Sequence, residues 1–154
     1  MHKLIYIITI FLLISCTAKE RPIEYGTDEC AYCKMIMMDH RYGSELVTEK
    51  GKVYPFDAAE CLIDYMHANE DIAAEASFVL ITPYTHPNTL FNAKEASYLV
   101  SGKMPSPMGA YLTAFMDTGT AGEFESENGG TIYTWDEIFA DLKAIRLKAI
   151  KEYE

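Results

Sequence analysis

Positive charge is scarce in this 154-residue chain: 13 Lys and Arg stand against 23 Asp and Glu. Nucleic acid binding depends on neutralising phosphates, so this balance excludes nucleic acid as a partner. It also repels anionic lipid headgroups, and any membrane attachment must come from something other than a basic surface. Long apolar runs are missing after residue 14, and no later segment is expected to cross a bilayer, which takes about 20 apolar residues. Cysteine is sparse, four in all. There is one C-x-x-C, no second one, and no H-x₃₋₅-H, so the paired corners of a structural zinc site are lacking. No general acid, base and nucleophile stand out together. What remains has one domain's length and an apolar content of 49%, enough for a real core.

The N-terminus departs from this pattern. Met1-His2-Lys3 carries a positive charge, and Leu4 to Ile14 is apolar with only Thr9 interrupting. As a helix this run would reach about 16 Å, roughly half a bilayer core, so it reads as the h-region of a secretory signal. It ends in L-I-S-C, which resembles the lipobox of bacterial lipoproteins, where the cysteine is acylated and becomes the first residue. Residues 1–15 are then expected to be removed, leaving Cys16 as the lipidation site. They carry one base, Lys3, and no acid, so the mature chain holds 12 bases against 23 acids, a net charge of −11. Residues 16–27 read as the acylated cysteine and a short polar tether. The folded part is 28–154. Its remaining cysteines, Cys30, Cys33 and Cys61, are an odd set in an exported chain, where thiols usually pair.

Periodicity divides the folded part into elements. Ser44 to Thr48 and Lys52 to Phe56 read as strands around a turn at Gly51. D-A-A-E, Asp57 to Glu60, has capping-box spacing ahead of a helix whose apolar stripe is Cys61, Leu62, Tyr65 and Met66. Ser77 to Ile81 reads as a buried strand, and Thr82 to Asn92 as a loop. The order then recurs: strands at Ser97 to Val100 and Tyr111 to Phe115, a short helix over about Thr120 to Glu127, a stop at Gly129-Gly130, and a strand at Thr131 to Tyr133. T-W-D-E caps a last helix with Ile138, Leu142, Ile145 and Ala149 on one face and its charges ordered with the helix dipole. The expected fold class is α+β: two similar ββαβ halves, about 28–92 and 93–154, with a C-terminal helix. Asp57, Glu60 and Asp64 read as capping and solvated surface.

The densest chemistry is C-A-Y-C-K-M-I-M-M-D-H, Cys30 to His40. Three readings fit it. A C-x-x-C can cycle between dithiol and disulfide, but oxidoreductases set the pair at a helix N-terminus after a buried strand, and here a polar tether precedes it. Zinc would leave the neighbouring thioethers unused. Cu(I), which selects thiolates and thioethers, accounts for more of the residues. In an extended segment Cys33 and Met35 would share a side, and His40 could add a borderline ligand. The alternatives stay open at this level. Met37 and Met38 read as core or near-core, Met66 and Met116 as packing, and Cys61 as a small core residue. Met104 and Met108 stand apart in a Gly/Pro-rich loop, where a core Met is less expected.

An ordered set of blocks carries a resemblance across roughly residues 28–140: Y-C-K-M ahead of D-H-R-Y-G, V-Y-P-F-D opening a helix, A-K-E-A-S-Y-L-V, P-M-G-A, and A-G-E-F-E-S-E-N-G-G-T-I-Y-T-W-D-E-I. With the lipobox, the chain resembles the NosL family of nitrous oxide reductase accessory lipoproteins. That resemblance implies two ββαβ halves and a Cu(I)-binding chaperone, not an enzyme, with no small-molecule substrate. It implies nitrous oxide reductase and a membrane ABC-type assembly complex as partners; the lipobox, with no obvious inner-membrane retention signal at Thr17, sets the expectation of a protein anchored through Cys16 in the outer membrane and facing the periplasm. The resemblance further implies Cys33, Met35 and Met108 as copper ligands, with Cys30 and His40 as helpers. Family members often carry Gly where Lys34 stands, and many lack Cys30.

Overall fold

The computed structural model describes residues 17–153. The signal segment and Cys16 lie outside the described residues. Among those described, no helix is long and apolar enough to cross a membrane.

The first half is built from β1 (Ser44–Thr48), β2 (Val53–Phe56), α1 (Ala59–Ala68), the short α2 (Glu70–Ala74) and β3 (Ala76–Ile81). β1 lies between β2 and β3, antiparallel to both. Gly51, at φ +77°, makes the turn that joins β1 to β2. Pro55 is tolerated in β2 because this is an edge strand, and its carbonyl accepts the N–H of Ala31 at 2.8 Å. The second half repeats the plan with β5 (Ser97–Val100), β6 (Leu112–Phe115), α3 (Thr118–Asn128) and β7 (Thr131–Thr134), in the order β6-β5-β7. In each half the first strand is central and the helix precedes the third strand, so the ββαβ repeat is present twice. The segment expected to be loop through Asn92 ends instead in β4 (Phe91–Asn92), which pairs with β3.

Period-two alternation puts the central strand β5 between two cores. Tyr98 and Val100 enter the main core with Leu46, Phe56, Leu62 and Ile81 of the first half and Trp135, Ile138 and Leu142 of the last helix. Leu99 faces the other way, onto Met104, Phe115 and Ala121. The last helix, α4 (Trp135–Tyr153), starts on the expected capping box: Glu137 Oε2 accepts the Thr134 N–H at 2.7 Å, and Thr134 Oγ1 accepts the Glu137 N–H at 3.4 Å. It is interrupted at Asp141, whose φ and ψ are non-helical. The Asp141 carboxylate accepts from the Ala144 N–H at 3.3 Å, starting the helix afresh.

The capping box expected at Asp57–Glu60 does not form. α1 starts one residue later than the pattern suggests, its N-cap is Ala58, and no side chain caps it. Both acids are buried, so neither is solvated surface. Asp64 pairs with Arg146 of α4 at 2.9 Å, tying the C-terminal helix to the first half. The stretch read as a tether is built into the fold from Arg21 onward. The Arg21 guanidinium holds Asp28 at 2.7 Å, its N–H donates to Glu45 at 3.1 Å, and Ile23 and Tyr25 pack on the core. Those side chains come so close over Gly43 that a Cβ there would collide with them.

Candidate metal centre

Residues 28–37 form a small hairpin. Glu29 and Ile36 bridge antiparallel, the Met37 N–H donates to the Asp28 carbonyl at 2.9 Å, and the Cys30 N–H donates to the Met35 carbonyl at 2.8 Å. Lys34 closes the turn at φ +65°, its N–H on the Cys30 carbonyl and its ammonium on the Ala31 carbonyl at 2.9 Å. This left-handed position favours glycine and accounts for Gly at the matching place in the family pattern. Lys34→Gly should therefore be tolerated, with stability changed by less than about 1 kcal/mol in a thermal melt, whereas the β-branched Lys34→Val should lose about 1–2 kcal/mol. The left-handed residue also means that Cys33 to Met35 is not extended, so the period-two reason for setting Cys33 and Met35 on one side does not apply.

The hairpin delivers Cys30 into the core and leaves Cys33 half-buried. α1 brings Cys61 to the same point. The three Sγ atoms lie within 4.8 Å of one another. Cys61, read from its helical stripe as a core residue, is thus both buried and part of a three-thiol cluster. A stripe at helical spacing shows which face of α1 turns inward but not what meets it there, and the hairpin that meets Cys61 is 28 residues upstream.

The three thiols are electrostatically unequal. Cys30 is drawn down to about 5, first by the Cys61 S–H, then by the backbone N–H groups of Asp57, Cys33 and Tyr32; burial opposes the shift. Cys61 is pushed well up, because it donates to Cys30 and is buried beside it. Cys33 is raised by burial first. The arrangement holds one thiolate at neutral pH with two thiols turned toward it. Nearby Asp57 is raised, mostly by burial and then by the negative charge on Cys30. Three soft sulfurs converging on one point suit a thiophilic metal ion, and no carboxylate oxygen or imidazole belongs to the cluster.

The remaining predicted residues are placed around this centre. Met35 is 54% exposed on the hairpin. Met108 is half-buried on the loop before β6 and packs against the core cluster that contains Cys30 and Cys61. The His40 ring stacks on Tyr25 at 4.2 Å, and its Nδ1 is 2.6 Å from Asn88 Oδ1. Met37 is fully buried as expected, but Met38, expected near the core, is 68% exposed. Met104 is core, packed beneath α3 with Leu99 and Phe115. Tyr32, Met35 and Ile36 of the hairpin, and Met38 just after it, are exposed.

A family model described as NosL matches residues 23–143. Among solved structures, the copper chaperone NosL from Shewanella denitrificans has the same fold. It superposes with a TM-score of 0.67 over 78% of this chain and 95% of its own, at 24% sequence identity. No curated protein matches the chain.

Proposed function

The chain belongs to the NosL family, and from that membership and the three-thiol centre we propose that it is a Cu(I)-binding metallochaperone. The observation that carries this reading is the convergence of Cys30, Cys33 and Cys61 within 4.8 Å. Three soft donors match Cu(I), which is stable in low coordination and selects thiolate over oxygen. Copper here is cargo. Cys33, half-buried where Cys30 and Cys61 are buried, is the sulfur a partner reaches first. Transfer proceeds by ligand exchange at Cys33, with Met35 as the exposed thioether that receives or releases the ion and no change of oxidation state. In this reading the chain is exported, anchored through acylated Cys16 at the outer membrane, and faces the periplasm. It supplies copper for assembly of nitrous oxide reductase through a membrane ABC-type complex.

The rival reading is a thiol oxidoreductase. The depressed Cys30 favours it, because a ready thiolate is also a nucleophile. Titrating the reduced protein with Cu(I) against a chelating competitor separates the two. The chaperone reading expects tight Cu(I) binding that weakens about tenfold in Met35→Ala, a change of about 1.4 kcal/mol. The oxidoreductase reading expects Met35→Ala to leave thiol–disulfide exchange intact and no competitive Cu(I) binding in the parent protein.

A further inference from the structure

The loop Pro105–Gly109 comes from the second half but is clasped by the first. Tyr42 Oη donates to the Pro105 carbonyl at 3.3 Å, and Ser106 Oγ donates to Glu60 Oε1 at 2.5 Å. The same Ser106 oxygen accepts the Leu112 N–H at 3.3 Å, which fixes the return of the loop into β6. The backbone N–H of Met108 faces the Glu60 carboxylate as well. Glu60 is completely buried in α1, one residue before Cys61, and its Oε2 has no partner among the described residues.

A buried carboxylate with an unpartnered oxygen opposes folding. Helix packing does not require it, since Cys61, Leu62, Ile63 and Met66 already supply the buried face of α1. Its two neighbours from the second half, Ser106 and Met108, belong to one short loop. That loop brings the backbone N–H of Met108 to Glu60, the residue before Cys61, and the Met108 side chain is half-buried against the main core. We propose that Glu60 is a positioning residue: through Ser106 it fixes the Pro105–Gly109 loop so that Met108 is held at the three-thiol centre as a further soft donor. The role rests on the copper reading above. Glu60 does not touch the ion. It sets where the thioether stands.

The test has a metal-free arm and a copper arm. In the reduced, metal-free protein, NMR of the methionine methyl groups should show the Met108 methyl losing order in Ser106→Ala and Glu60→Ala. Glu60→Gln, which keeps an acceptor oxygen, should retain it, and buried Met37 should be unchanged in all three. In Cu(I) competition, Ser106→Ala and Glu60→Ala should each bind about tenfold more weakly, and neither should lose further affinity when combined with Met108→Ala. Glu60→Ala tests the carboxylate directly, and Ser106→Ala repeats the test if that variant does not fold. An unchanged Met108 methyl in Ser106→Ala overturns the proposal, as do affinity losses that add to that of Met108→Ala. If the parent protein binds no Cu(I) while the Met108 methyl responds as described, the copper reading fails and the brace stands.

Discussion

Cu(I) should bind Cys61→Ser at least a hundredfold more weakly than the parent protein. Serine keeps the volume but replaces a soft sulfur with a hard hydroxyl, for which Cu(I) has little affinity. The loss should exceed the 10–100-fold typical of removing an outer-shell partner, and it corresponds to about 3 kcal/mol or more. Cys61→Ala is the informative companion. If Cys61 only filled space in α1, Ala would lower stability modestly and leave copper affinity alone. As a ligand, Cys61 should lose affinity in both variants to a similar degree. Competition titration with a melting curve on each variant reads both quantities. Affinity that survives in both variants would return Cys61 to the core.

The second large effect is one of pH and lies away from the metal centre. Glu45, the second residue of β1, is fully buried under the Arg21–Tyr25 segment. Oε1 accepts the Arg21 N–H, and Oε2 has no partner among the described residues. Burial raises this carboxyl to about 7 against a usual 4.5. Below pH 4.5 it is protonated folded or unfolded, and its contribution to stability is fully present. As pH rises through 4.5 and then 7, the unfolded chain ionises first and that stability is lost, up to about 3 kcal/mol. By itself this group makes the protein more stable at pH 5 than at pH 8, whereas Cys30, drawn down to about 5, contributes with the opposite sign over the same range. Asp57 and Glu60, also raised by burial, add to the slope with the same sign. Glu45→Gln removes only its own share, so denaturant unfolding at the two pH values should show the variant gaining stability at pH 8 and little at pH 5. A variant that keeps the parent's full slope would place the titration elsewhere.

Much of the fold was legible because its signals are local. Short strand-like runs marked β1, β3 and β5, the Thr134/Glu137 box marked the start of α4, and Gly51 and Gly129 marked turns by their need for positive φ. The ββαβ echo was legible as an order of elements, without any repetition of residues. The misreadings came from features decided at a distance. Asp57-x-x-Glu60 has capping spacing, but the second half places Ser106 against Glu60 and draws it inward. Arg21 to Tyr25 is polar enough to read as tether, yet it covers one face of β1 and buries Glu45 there. The centre divides the same way. C-x-x-C showed that Cys30 and Cys33 meet, but the arrival of Cys61 depends on α1 packing against a hairpin remote in sequence. Lys34 misled in a smaller way, because a lysine gives no local sign of a left-handed turn.

X-ray absorption at the copper edge, on protein loaded with one equivalent of Cu(I), tests the three-thiol centre most directly. The expected spectrum is that of Cu(I) with sulfur scatterers alone, three from Cys30, Cys33 and Cys61 and a further thioether from Met108, losing one sulfur in Cys61→Ser. Nitrogen scattering from His40, or a two-coordinate spectrum identical in the parent and Cys61→Ser, would contradict a copper site built on Cys30, Cys33 and Cys61.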